Sequence, residues 1–223
     1  MKQLVLFIVL IFTINVSAQI ENDTIDSKYL EDQLYISLTY NLLTSKPSDI
    51  SQNGFSGGFS MGFVKDIPLN KERNFGIGIG FGYAYNAYIQ NLKIREQNSV
   101  FNFDIAEDFD VNRLSIHAID LPFEIRFRNS TPTKYKFWRI YAGVKFSYLF
   151  SSKYKYNDSS ETLVFKNISS VNKFQYGLTL SAGYEVWNLY IYYGLEPLFK
   201  DAFLEAENIK MKDIHIGLKL YIM

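Results

Sequence analysis

The chain has no cysteine, which excludes disulfides, thiolate zinc sites, thiol catalysis and the acylated cysteine of a lipoprotein. It has no excess charge of either sign: Lys+Arg and Asp+Glu number 23 each, so bulk electrostatics points neither to nucleic acid nor to a cation buffer. Histidine occurs only as His117 and His215; no metal-ligand cluster forms, and no metal or cofactor is expected. The only extended apolar run, Leu4 to Ile14, is shorter than the roughly 20 residues a membrane helix needs. It follows Lys2 and precedes Val16-Ser17-Ala18, the pattern of a secretory signal over residues 1–18 cleaved after Ala18. An uncleaved anchor is the alternative.

What is abundant is aromatic: 17 Tyr and 19 Phe in 223 residues, a composition that favours strands with a large apolar surface. Residues 19–32 are polar, acidic and without periodicity, which predicts a short periplasmic lead-in. From residue 33 onward the pattern has period two. It is clearest from Asn74 to Tyr88, where Phe75, Ile77, Ile79, Phe81, Tyr83 and Tyr85 oppose Gly76, Gly78, Gly80, Gly82 and Ala84. Seven further segments divide the same way, beginning near Leu34, Phe55, Ile119, Trp138, Phe174, Leu189 and Ile214.

Alternation also describes a soluble eight-stranded barrel, so three features orient the faces. Glycines on a water-facing side weaken strands for no return, whereas in a narrow lumen they make room for larger neighbours. Most apolar rows run five or more alternate residues, enough for a tilted strand to cross a bilayer. Long polar segments (near 45–53, 91–112, 151–172 and 199–212) alternate with short turns at 69–73, 129–134 and 187–188. The expected fold over 33–223 is therefore all-β, an eight-stranded antiparallel up-and-down transmembrane β-barrel of the outer membrane, with both termini periplasmic and outer-membrane lipid around it.

The inferred lumen carries Asp120, Glu124, Arg126, Arg128, Arg139, Lys145, Glu185, Glu196 and Lys219. Unpaired burial of each would cost several kcal/mol, so these residues are expected to form a structural salt-bridge network. An ion path through the lumen is the functional alternative, and eight strands leave little space for one. Ser115 and His117 share a face and offer a thin version of a hydrolase pair, but nothing in the sequence orients the histidine. Gly76-Ile77-Gly78-Ile79-Gly80 lies within a strand with no helix after it, so it is not a phosphate loop. Tyr88, Trp138, Tyr148, Tyr184 and Trp187 fit interfacial aromatic girdles. The closing run from Ile214 to Met223 has the form that barrel-assembly machinery reads, though it ends in Met.

Several stretches resemble the PorT family, called SprT in gliding bacteria. They are Gln33 to Leu43, Ser51 to Ser56, Phe63 to Pro68, Leu121 to Arg128 with Ser130 to Pro132, Lys136 to Tyr141, and Asn172 to Leu178 through Tyr192 to Gly194. The resemblance implies an outer-membrane barrel of the type IX secretion system of Bacteroidota, acting in protein export and, where the organism glides, in gliding motility. It implies secretion-system proteins as partners and supplies no catalytic motif, so a non-enzymatic accessory or assembly role is expected. A small channel or passive structural barrel is the alternative.

Overall fold

The computed structural model describes residues 32–52, 54–98, 100–129 and 137–222. The expected signal peptide, most of the lead-in and most of the turn at 129–134 lie outside the described residues. Thirteen strands are present among those described: β1 (Gln33–Thr44), β2 (Gly57–Pro68), β3 (Phe75–Ile89), β4 (Leu92–Gln97), β5 (Val100–Ile105), β6 (Val111–Arg128), β7 (Trp138–Asn157), β8 (Thr162–Lys166), β9 (Phe174–Tyr184), β10 (Trp187–Gly194), β11 (Phe203–Leu204), β12 (Glu207–Asn208) and β13 (Lys212–Ile222).

Eight of them form the barrel. The order β6-β3-β2-β1-β13-β10-β9-β7 is closed by β6 against β7, and every pairing is antiparallel. First and last barrel strands meet over eleven pairs, from Leu34↔Ile222 to Thr44↔Lys212, so the barrel itself has no open edge. Among the described residues no helix is long and apolar enough to cross a membrane.

The bulky row of each strand points outward. Leu38 is 63% exposed, Phe81 60%, Ile125 50% and Leu189 69%, values that bury nothing in water and suit acyl chains. The bare row points in and is filled from its neighbours. A Cβ at Gly78 would meet the Arg126 guanidinium, and one at Gly82 would meet the Tyr35 ring and hydroxyl. Glycine on β3 is therefore what lets the side chains of β1 and β6 reach across it.

Three sequence expectations change. Tyr88 is no girdle residue: it lies inside the bore, fully buried, with its hydroxyl donating to Asp213 Oδ2 at 2.6 Å. The last short turn falls at Glu185-Val186 rather than 187–188, with Tyr184 paired to Trp187 and Glu185 in left-handed backbone. The long polar connections contain strands of their own. β4, β5, β11 and β12 form a second sheet, and β8 pairs with the part of β7 that extends beyond the barrel.

That ordering has a hydrophobic cause. Leu43, Tyr88, Leu114, Ile116, Ala118 and Leu149 face inward near the long-connection end and join Ile50, Leu92, Ile94, Phe103, Phe199, Leu204 and Ile209 of the connections in one buried cluster. Burying a side chain of this size contributes about 1.5–3 kcal/mol, enough collectively to offset the entropy of ordering such loops. The bore thus has two storeys: an apolar plug continuous with the outer sheet, and a charged half beneath it.

Candidate functional site

The charged half is assembled from inward positions of six strands. β2 supplies Asp66, β6 supplies Asp120, Glu124, Arg126 and Arg128, β7 supplies Arg139 and Lys145, and β13 supplies Asp213, His215 and Lys219. Tyrosines from β1, β7, β10 and β13 stand between them; all the charged groups are buried.

Arg128 donates from Nη1 and Nη2 to Asp66 Oδ1 and Oδ2, each at 2.7 Å, and from Nε to the Arg73 carbonyl at 2.7 Å. This two-pronged match is the strongest form of a guanidinium–carboxylate contact. Arg126 lies between two carboxylates, giving Nη1 to Asp66 Oδ1 at 3.3 Å and Nε and Nη2 to Glu124 Oε2 at 3.1 and 3.0 Å. The other Glu124 oxygen accepts from Lys219 Nζ at 3.2 Å and from the Tyr221 hydroxyl at 3.1 Å. The rings of Tyr35 and Tyr141 cover the cations, with Lys219 Nζ 4.3 Å and Arg126 Cζ 4.6 Å from the respective centroids.

A second group lies nearer the apolar plug. Lys145 Nζ sits 3.1 Å from Asp120 Oδ2 and 4.2 Å from the Tyr192 centroid, while Ser147 donates to Asp120 Oδ1 at 2.6 Å. Asp213 Oδ2 lies 2.7 Å from His215 Nε2 and accepts from Tyr88. Beside these groups lies a cavity of about 10 Å³, lined in part by Ser37, Thr39, Lys145, Tyr190 and His215, room for about one water.

Seven of the nine charged residues expected in the lumen face it: Asp120, Glu124, Arg126, Arg128, Arg139, Lys145 and Lys219. Arg139 stands apart, because its Nε, Nη1 and Nη2 meet no hydrogen-bond acceptor among the described residues. Its guanidinium is instead 4.5 Å from the Phe137 ring centroid. Glu185 and Glu196 lie outside the bore. β9 ends at Tyr184, so Glu185 occupies the turn before it can continue the inward row. β10 ends at Gly194, and Glu196 bonds the Tyr176 hydroxyl, whose ring is on the outward face. Two further bore acids, Asp66 and Asp213, fall outside the sequence expectation, although each extends the inward phase of its strand: Gly62, Val64, Asp66 on β2 and Asp213, His215, Gly217 on β13.

Ser115 and His117 do face the same side, the outer one, but no hydrogen bond joins them among the described residues. His117 Nδ1 is 2.7 Å from the Tyr83 hydroxyl, and Ser115 Oγ is 3.3 Å from that of Tyr85. No group of three or more His, Cys, Asp or Glu among the described residues is placed to hold a metal ion.

Outside the barrel, a polar cluster ties β4 of the outer sheet to the end of β7 and the turn that follows it. Lys93 Nζ lies 2.6 Å from Glu161 Oε1, 3.5 Å from Asp158 Oδ2 and 4.0 Å from the Tyr156 centroid. Burial pulls the Lys93 ammonium toward its neutral form, and the bonds to Glu161 and Tyr156 outweigh it, so its pKa stands above the ordinary lysine value. The Asp158 carboxyl is held well below the usual carboxylate range by the Tyr156 hydroxyl, the Ser160 hydroxyl and the amides of Glu161 and Ser160.

Two crystal structures of Ail, the attachment invasion locus protein of Yersinia pestis, are among the solved structures to which the chain is similar. One, in complex with the heparin analogue sucrose octasulfate, is 11% identical with a TM-score of 0.37 over 86% of this chain and 99% of that one. The other is 8% identical with a TM-score of 0.35 over 86% and 97%. No curated protein matches the chain. The family described as outer membrane protein beta-barrel domain matches residues 17–200, and with most of the sequence covered, the chain belongs to that family.

Proposed function

We propose that this barrel is a non-enzymatic accessory or assembly component of the type IX secretion apparatus of a Bacteroidota outer membrane. The observation that carries the reading is the filled bore. With interlocked ion pairs below and an apolar plug above, the protein passes no cargo itself, and its working surfaces are its outer sheet, its lipid face and its short turns. The stretches that resemble the PorT family, spread from Gln33 to Gly194, favour this apparatus over other outer-membrane roles. The short-turn end and both chain ends lie in the periplasm, and the ordered sheet lies outside.

Deletion of the gene abolishes export of type IX cargo and leaves unrelated outer-membrane barrels in place; normal export in the deletion strain rejects the reading. Orientation is tested separately. Because the chain has no cysteine, single cysteines at Val100 and at Asn70 report it cleanly: an impermeant maleimide labels the first on intact cells and the second only after lysis. For the alternative of a small channel, reconstituted protein is expected to be silent in planar bilayers.

A further inference from the structure

Four cations project from the outer wall where the apolar band ends. On β6 the outward row is Phe127, Ile125, Phe123, Leu121 and Ile119, and it then changes to His117, Ser115 and Arg113. On β7 it ends at Phe150, where the register with β6 shifts between His117 and Ala118, and resumes with Lys153 and Lys155. Tyr154 and Tyr156 are buried on the other side, so Lys153 and Lys155 face out. On β8, Leu163 and Phe165 pack against the inner cluster, leaving Val164 and Lys166 outward.

Register makes these cations immediate neighbours. Arg113 is opposite Lys155, Lys153 is opposite Lys166, and Ser115 is opposite Lys153. Residues directly opposite on one sheet face have Cβ atoms about 4.5–5.5 Å apart, and like charges placed so oppose pairing. None of the four forms an ion pair with a described residue. The carboxylates nearby are engaged elsewhere: Asp158 and Glu161 with Lys93 and Arg95, and Asp110 with Asn157 Nδ2 at 3.1 Å. Just below, Tyr83, Tyr85 and His117 supply hydroxyl and imidazole groups beside the exposed Phe150 ring, the mixture expected at a membrane interface.

We propose that this patch binds the phosphorylated headgroup of an outer-leaflet glycolipid. Two opposed cation pairs need a multiply charged anion between them, arginine and lysine suit phosphate oxygens, and the apolar wall of Ile119, Phe146, Tyr148 and Phe150 directly beneath receives the acyl chains of the same molecule. A free anion would use the cations and leave that wall unused. The proposal rests on the long-connection end facing outward; the cysteine labelling above tests that orientation, whereas the binding test below is insensitive to it.

Full-length mature protein in nanodiscs carries probe in both leaflets, so retention can be read by native mass spectrometry in either orientation. The probes are diphosphoryl lipid A, its fully dephosphorylated form and, separately, inorganic pyrophosphate. Diphosphoryl lipid A is expected to be retained at least tenfold over the dephosphorylated form, and the variant Arg113→Gln/Lys153→Gln/Lys155→Gln/Lys166→Gln to lose that preference. Folding of each variant is checked by its heat-dependent shift on gels. If the quadruple variant does not fold, Lys153→Gln/Lys166→Gln replaces it, with Lys153→Arg/Lys166→Arg expected to keep the preference. Equal retention of the two lipids, or a preference unchanged by neutralisation, overturns the proposal. Displacement of the lipid by millimolar pyrophosphate also overturns it and assigns the patch to a free anion.

Discussion

Arg128 on β6 clasps Asp66 on β2 with two 2.7 Å bonds although β3 lies between their strands. Arg126, which also bonds Asp66, crosses β3 at the inward position Gly78. A side chain there would occupy the guanidinium's path, since a Cβ at Gly78 already meets Arg126. Glycine spacing on one strand and ion pairing between its two neighbours are thus a single device.

Asp66→Ala removes the carboxylate shared by Arg126 and Arg128. Breaking a buried pair from one side costs about 3–5 kcal/mol, and urea unfolding in detergent or lipid should show a loss of that order. Gly78→Leu, which keeps every charge and blocks the path, is expected to destabilise by about 1–3 kcal/mol. A Gly78→Leu barrel as stable as the parent would refute the glycine argument.

Arg139 predicts the opposite sign. Its guanidinium is buried without an acceptor among the described residues, so replacement by a flexible apolar side chain removes a desolvated charge and forfeits ring contacts worth about 2 kcal/mol at most. Arg139→Met is expected to match or exceed the parent in urea midpoint, whereas Arg126→Met falls below it.

Lys145 and Asp120 are coupled. Either Lys145→Ala or Asp120→Ala alone strands a buried partner, and the double variant recovers part of the loss. A double-mutant cycle with no coupling energy would show that the 3.1 Å pair is not a unit.

The turn between β7 and β8 has an acid limit. Asp158 is depressed in the folded protein, so its contribution is complete above the unfolded carboxyl value near pH ~4 and is lost as pH falls through the lower folded value. Hydrogen exchange at Ser160 and Glu161 should accelerate only below that unfolded value. Asp158→Asn should give fast exchange already at neutral pH.

Strand phase was readable wherever one face is greasy and the other bare, which is why β3, β9 and the lower part of β6 match their pattern, and why seven of nine bore charges face inward. The pattern fails where both faces are apolar. Leu114, Ile116 and Ala118 face a plug rather than charges, so the upper part of β6 lacks that contrast, and the pattern places the start of the strand near Ile119 instead of at Val111. Asp66 is recoverable by carrying the inward phase of β2 past Gly62 through Val64, and Asp213 by carrying that of β13 back two residues from His215. Glu185 was not, because a left-handed turn residue interrupts a phase that residue type alone does not reveal. Tyr88 shows the same limit: an aromatic near a strand end suits either the interface or the plug, and only its packing against Asp213 decides.

β6 and β7 remain bonded to each other from Arg128↔Arg139 beyond the rim to Val111↔Asn157, with one register shift on the way. A ribbon paired along its length does not swing like a tether; it stands as a post. Whatever docks on the sheet at its tip meets a surface at fixed height above the lipid, and a pull there is delivered into the wall holding Asp120 and Lys145 instead of being absorbed as slack.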